Sequence, residues 1–583
     1  ERGRFFATPA TAHPREPVAL TLNIPAYHLY IDPKAIDLSV RDTLAKKIVT
    51  SISDKSAGID VRAQFEKASR SRRVAMWLTS SEKKEIELWW RPFARKNKIA
   101  SNALFFVRDY ARSYPYGPLL GQVLHTVCDE RDSQGQRIST GGLELAFSKW
   151  LGGKPGKREL MRSPRHRIGL GEVVEPARNG VDIHLTIDPY IQSLAERELA
   201  RAVKRSKAKG GWAIMMDPKT GYILASAQVP FFDPSQYRTA FADPEKLEAT
   251  RPRGIIDIFE PGSVMKPFTL AVGLLANEER EARGEPPIFD PKAKVKCGQF
   301  KVPGRVKPLR EYLCRFTYLN MAMALKKSSN VYMARLIDWV LDAFGGAWYR
   351  AQLIERFGFG CKTGIELPSE NAGLVPRIGK RHKNGTLEWS KPTPYSMSFG
   401  HNLTASSLQL VRAYAVFANG GYLVKPTLIH KAVRSDEVLI DNSHRRLEDF
   451  PKTLSTQIAR EIVRTCKFTT QFGGSARRAN IPGYTEAGKT GTAEKVINGR
   501  YSKERNMCYL IGMAPATDPR FVLLVLIDEP KKEYFPGFGY NQVAGNCAGP
   551  AFSVIGKKTL AYLGVAPDDP YGYPKGDPRR DAK

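Results

Sequence analysis

The apolar positions of this chain change their period several times, and each change predicts an element. VDIHLTID, Val181 to Asp188, alternates apolar and polar residues and predicts a strand, whereas IQSLAERELARAVKRSK, Ile191 to Lys207, spaces its apolar residues three and four apart and predicts an amphipathic helix. GWAIMMD and GYILASAQV, between Gly211 and Val229, predict two strands joined by the turn DPKTG, whose Asp, Pro and Gly suit a tight hairpin. LQLVRAYAVFANGGYLV, Leu408 to Val424, predicts a helix closed by Gly420 and Gly421 and then a strand. Near the end, MCYLIGMAP and RFVLLVLIDEP predict two more strands across a Pro/Asp turn. Strands at both ends with helices between them imply an antiparallel sheet covered by helices.

The front of the chain has another texture. Charge runs (SRSRRVAMW, RPFARKNK) alternate with strand-like pieces such as VALTLNIPAYHLYI, and the change falls near Asn179, after the turn-rich GLGEVVEPARNG. The expected organisation is α+β and multidomain: a non-catalytic mixed domain at 1–175, a second domain at 176–565 and a flexible tail at 566–583. Apolar residues make up 42% of the 583, enough for sizeable cores, so a disordered chain is excluded. The net charge of +31 calls for an anionic neighbour, yet there is no zinc-finger spacing, nucleic-acid-binding aromatic motif or phosphate-cradling loop; nucleic acid is not expected as a partner. No run of 18 apolar residues occurs, and the chain starts at Glu1 without a methionine, which leaves room for an anchor or signal upstream. Seven cysteines show no C-x-x-C spacing, so no metal site or cofactor is expected; Cys297 and Cys314 are either a disulfide or two scattered thiols.

Candidate chemistry begins at EPGSVMKPF, Glu260 to Phe268, where Ser263 stands three residues before Lys266. Two readings are open: a helix start capped by a serine, or a nucleophile with a lysine one turn away on the same face. Three other Ser-x-x-Lys pairs, Ser80/Lys83, Ser81/Lys84 and Ser206/Lys209, lie in charged surroundings where the amine stays hydrated and protonated. Only Lys266 lies among apolar residues, where burial favours the neutral amine that can take a serine proton. In LKKSSNVYMARL, Ser328 and Asn330 open an amphipathic helix and either cap it or aim a hydroxyl and a carboxamide into a cleft. In TEAGKTGTAEK, Lys489, Thr490, Gly491 and Thr492 read as an exposed strand edge offering cationic and hydroxyl contacts to a carboxylate, with Gly491 allowing close approach. The same tripeptide at Lys362 to Gly364, in CKTGIELPSE, lacks the following Thr-Ala and reads as a connector.

The order Ser-x-x-Lys, Ser-x-Asn, Lys-Thr-Gly is the motif set of penicillin-binding proteins and serine β-lactamases. With ERGRFFA, YPYG, GGLELAF, LTIDPYIQ, MDPKTGYILA, GIELPSE and SMSFGHNLTASSLQLVRAYAVFANGG, the chain resembles a class B penicillin-binding protein to about Leu563. The resemblance implies a serine β-lactamase-like transpeptidase domain, an N-terminal pedestal and a membrane anchor, with catalysis outside the cytoplasm. It implies Ser263 as acylated nucleophile, Lys266 as base, Ser328 as proton relay, Asn330 as clamp on the donor amide, Lys489 as electrostatic support and Thr490 to Thr492 as binding strand. It further implies cross-linking of peptidoglycan stem peptides at D-Ala-D-Ala, acylation by β-lactams and a membrane glycosyltransferase among other wall-synthesis partners. The Ser-Ser-Asn form of the second motif and the compact pedestal favour a septal role over an elongation role. A β-lactamase or sensor, a carboxypeptidase and an inactive scaffold are the remaining alternatives. The segment from Cys297 to Cys314 matches the family poorly and receives no role.

Overall fold

The computed structural model describes residues 1–11, 16–52, 59–133, 137–154, 156–158, 173–311, 318–497 and 500–569. Two compact units emerge. The smaller contains Glu1–Arg4, Ala19–Pro115 and Lys149–Val181; the larger contains Phe5–Val18, Tyr116–Ser148 and Asp182–Lys583. Two front segments, Phe5–Val18 and Tyr116–Ser148, thus pack with the C-terminal part. Phe5–Ala7 accounts for the first of these: it runs parallel to Asp182–Leu185, which pairs in turn with Ile429–Arg434.

In the smaller unit Leu22–Ile31 is the middle strand of a three-stranded antiparallel sheet, between Arg72–Leu78 and Leu104–Ser113. Helices Leu38–Ile52 and Ser80–Lys96 cover it and share a core of Leu29, Ile31, Leu44, Ile48, Val74, Ile86 and Trp90. Ser80 and Ser81, which open two of the chance Ser-x-x-Lys pairs, start a helix capped by Thr79 and Glu82.

The larger unit is built on a five-stranded antiparallel sheet in the order Ile223–Val229, Gly210–Met216, Phe521–Asp528, Arg500–Ala514, Ala487–Ile497. All eight residues of FVLLVLID are buried, which explains its unbroken apolar run: helices cover both faces of this strand. On one face Pro189–Arg205 and Gly549–Tyr562 pack against Met215, Leu523 and Val525. Toward the other face, Trp212 Nε1 donates to Ser407 Oγ (2.8 Å) at the start of helix Ser407–Ala418. That helix ends as expected, with Gly420 and Gly421 at positive φ. The strand expected after it does not form: Tyr422 makes only an isolated bridge to Lys452, and the next strand starts at Ile429. Pro426, which has no N–H for a ladder, separates the two. The tail also begins later than 566, since Asp568 accepts from the Thr485 N–H (2.6 Å) and Asp569 N–H donates to Gly483 O (3.0 Å). The rest of the tail and Cys314 lie outside the described residues.

Buried in this unit is Glu196, whose Oε1 accepts from Leu120 N–H (2.9 Å) and Gln192 Nε2 (2.7 Å). Burial raises its pKa from the ordinary 4.5 to about 7 against those two bonds. A raised folded pKa favours the protonated form, so folding stability falls as pH rises from 4.5 to about 7, by about 3 kcal/mol at most. Glu196→Gln keeps an oxygen for both donors and removes the charge. Thermal melts are expected to show the variant more stable than the parent at pH 8, with the difference vanishing near pH 4.5.

Candidate active site

Ser263 does not cap its helix. It lies in the 3-10 turn Gly262–Met265 that leads into Lys266–Ala282, and neither start has a side-chain cap. Packing fixes the turn instead. Phe268 sits in an aromatic knot with Phe357, Phe359, Tyr414 and Phe417, at ring separations of 4.9 to 5.2 Å. Tyr414 donates to Val264 O (2.8 Å), and Tyr509 donates to Pro261 O. Gly262 N–H donates to Gly400 O (2.9 Å), and a methyl group on Gly400 would lie 2.0 Å from Gly262 O. The approach is closed to any larger residue, and φ of +88° at Gly400 reinforces the requirement. On the other side, a methyl on Gly262 would meet Thr492 O at 2.8 Å, so the Ser263 turn lies directly against the Lys-Thr-Gly strand.

Lys266 is 1% exposed. Its Nζ donates to Ser328 O (2.5 Å) and Ser328 Oγ (2.9 Å), and Ser328 Oγ donates to Ser263 Oγ (3.1 Å). A continuous path of hydrogen bonds thus joins the lysine amine to the Ser263 hydroxyl. Burial carries the Lys266 pKa well below its usual 10.5; Lys489 pushes it the same way and Glu311 opposes them. That direction favours the neutral amine, whose lone pair can accept a proton.

Ser328 occupies the corner between helices Met321–Lys326 and Asn330–Glu355. Its N–H bonds to Leu325 O (3.1 Å), the Ser329 N–H bonds to Ala324 O (2.8 Å), and Ser328 has φ of +56°. This is a Schellman ending with serine at the left-handed position that usually belongs to glycine. Of the residues in Ser-Ser-Asn, it is Ser329 that caps the next helix, accepting from Tyr332 N–H (3.0 Å). Asn330 is the first helical residue, half-buried.

Lys489 to Thr492 lie on the edge strand Ala487–Ile497, as expected, but the edge is not exposed at the motif: Lys489 is fully buried and Thr490 is 7% exposed. Lys489 Nζ donates to Thr490 O (3.1 Å), and Thr490 Oγ1 donates to Ser475 Oγ (2.7 Å). Burial lowers the Lys489 pKa to about 8, opposed by Cys466. Gly491 is required because a methyl there would lie 2.5 Å from the Tyr509 ring, its partner in register. Thr492 is exposed beside the Ser263 turn. The second Lys-Thr-Gly forms a loop in which Thr363 N–H (2.6 Å) and Gly364 N–H (3.1 Å) donate to Glu370. Ser328 is hydrogen-bonded to both Lys266 and Ser263, with Lys489 and Thr492 alongside. Sequence reasoning missed Tyr509, Ser475 and Glu311. Register across from Gly491 was the signal for Tyr509; Glu311 carried none, since its carboxylate arrives from the segment that matched no motif.

Comparison with known proteins identifies the family. The Penicillin binding protein transpeptidase domain matches residues 211–548, more than half of the chain, and the Penicillin-binding Protein dimerisation domain matches residues 13–185. The chain is 32% identical over 466 residues to a probable peptidoglycan D,D-transpeptidase PbpC of Pseudomonas aeruginosa, covering 79% of this chain and 72% of that protein. It is 28% identical over 568 residues to the peptidoglycan D,D-transpeptidase FtsI of Escherichia coli (strain K12), covering 94% and 82%. The fold is similar to that of Penicillin Binding Protein 2X from Streptococcus thermophilus, with a TM-score of 0.70 at 18% identity over 97% of this chain and 80% of that one. The chain belongs to the penicillin-binding protein transpeptidase family and is a class B penicillin-binding protein, a peptidoglycan D,D-transpeptidase.

Proposed function

We propose that this D,D-transpeptidase works through an acyl-enzyme on Ser263, formed from a peptidoglycan stem peptide ending in D-Ala-D-Ala. The observation that carries the reading is the hydrogen-bond path from the buried Lys266 amine through Ser328 to Ser263. Neutral Lys266 takes the Ser263 proton, directly or by way of Ser328, as the oxygen attacks the penultimate D-Ala carbonyl. Backbone N–H groups of Ser263 and Thr492 face the developing oxyanion, Asn330 holds the donor amide, and Thr490 and Thr492 bind the terminal carboxylate near Lys489. On collapse the C–N bond breaks, the terminal D-Ala leaves as an amine with a proton relayed by Ser328, and the acyl group stays on Ser263. An amine of a neighbouring stem peptide then attacks the ester, yielding the cross-link and the free hydroxyl. The outer edge of Ala487–Ile497 suits an extended peptide that adds as a further strand.

The same site takes β-lactams as mimics of the donor. Membership of the family supports a catalytic unit on the extracytoplasmic side of the membrane, held by an N-terminal anchor and working with a glycosyltransferase; among the described residues no helix is long and apolar enough to cross a membrane. Likeness to FtsI over 94% of this chain and the Ser-Ser-Asn form of the second motif favour septal wall synthesis.

Intact-protein mass spectrometry with benzylpenicillin tests the nucleophile. A long-lived adduct on the parent and none on folded Ser263→Ala is expected; an adduct on the variant refutes the assignment, and one lost within seconds while drug is consumed favours a β-lactamase. The two tripeptides are separated by fluorescent-penicillin labelling: Lys489→Ala should slow it on the order of a hundredfold, and Lys362→Ala, in the loop held by Glu370, should leave it unchanged.

A further inference from the structure

Resting on the Ser263 reading, the structure assigns a role to the segment that begins at Cys297. We propose that Glu311 is a positioning residue: its carboxylate holds the Ser328–Asn330 corner in the bend that presents the Ser328 hydroxyl to Ser263, and supplies the negative charge facing buried Lys266.

Three donors converge on this one side chain. Ser329 Oγ donates to Glu311 Oε1, Val331 N–H donates to the same oxygen (2.9 Å), and Asn330 N–H donates to Oε2 (3.2 Å). The two backbone donors are the first N–H groups of helix Asn330–Glu355, which have no partner inside the helix and carry its positive end. Ser329 already serves Tyr332 N–H as cap, so Glu311 satisfies the donors the cap leaves over. The residue so enclosed, Ser328, adopts a left-handed conformation that a serine leaves unless its surroundings hold it. Bonds on both sides do so: Leu325 O and Ala324 O behind it, Glu311 ahead of it, and Lys266 on its carbonyl. Release of the forward clamp frees Ser328 to rotate its hydroxyl out of line.

Charge follows the same geometry. The titratable groups facing Lys266 are Lys489 from the edge strand, His401 from the loop after Gly400, and Glu311. Glu311 is the only anion of the three, and it favours protonated Lys266 while Lys489 disfavours it. Replacing the carboxylate by an amide therefore lowers the Lys266 pKa further, and the acidic limb of acylation moves to lower pH.

The test is the second-order rate constant for fluorescent-penicillin acylation of the parent, Glu311→Gln and Glu311→Ala, measured between about pH 5 and 9 with a melting curve for each. Glu311→Ala, which removes both acceptor and charge, is expected to lose about tenfold or more in rate while remaining folded. Glu311→Gln keeps an acceptor, should recover most of the rate at alkaline pH, and should show its acidic limb displaced to lower pH. Profiles that overlay the parent overturn the proposal. So does equal slowing in both variants with a lowered melting temperature and an unmoved limb, which would make Glu311 a scaffold residue only. If Glu311→Ala does not fold, the limb of Glu311→Gln decides alone. A parent that fails to label overturns the Ser263 reading itself, whereas a labelled parent with unaffected variants overturns only the role of Glu311.

Discussion

The active site depends on keeping one lysine amine away from water. An ammonium group loses several kcal/mol of hydration when it is buried, so the protein environment of Lys266 favours the neutral form and leaves a lone pair where a proton has to go. That environment is assembled from distant parts of the chain. The aromatic knot around Phe268 seats the helix, Gly262 and Gly400 let two loops touch, and Lys489 comes in on an edge strand as a second buried lysine. Each alone is ordinary packing. Together they shift a residue that is ionised almost everywhere on a protein surface towards its neutral form, as the proposed role of base requires.

The legible part of the fold was whatever a period or a turn residue encodes. FVLLVLID, the hairpin at DPKTG and the helix ended by Gly420 follow from patterning, because each is decided by neighbours in sequence. The strand after Gly421 failed for a tertiary reason: YLV has strand composition, but its one ladder contact is the isolated bridge from Tyr422 to Lys452 before Pro426 interrupts. The place of Phe5–Ala7 was not legible either, since nothing in FFA says that it will pair with residues 182–185. In the site, motif order found the hydroxyls and lysines. It could not find Tyr509 or Glu311, which act by reaching across the fold into a motif they do not belong to.

The two copies of Lys-Thr-Gly show how little a tripeptide specifies. At 489–491 the residues continue a strand whose register sets Gly491 against the Tyr509 ring and Thr492 against the Ser263 turn. At 362–364 the same residues curl around Glu370, with Gly364 at φ of +78°, a conformation incompatible with a ladder. Identical side chains thus lie on opposite sides of the strand-to-turn choice, and the longer alternating context decides it.

Ser328 is where local preference and chemistry disagree. A Schellman ending places its third-from-last and second-from-last carbonyls over a left-handed residue, and glycine meets that demand without steric cost. Serine there costs about 1 to 2 kcal/mol, a strain that glycine would relieve and that would survive only with outside support. The support comes from two helix carbonyls behind the corner and from two side chains in other elements, Lys266 and Glu311. Glycine would leave the path between Lys266 and Ser263 without its middle oxygen. The strain is thus the structural counterpart of the hydroxyl, and on the proposed mechanism the bonds that hold the corner serve the residues that react.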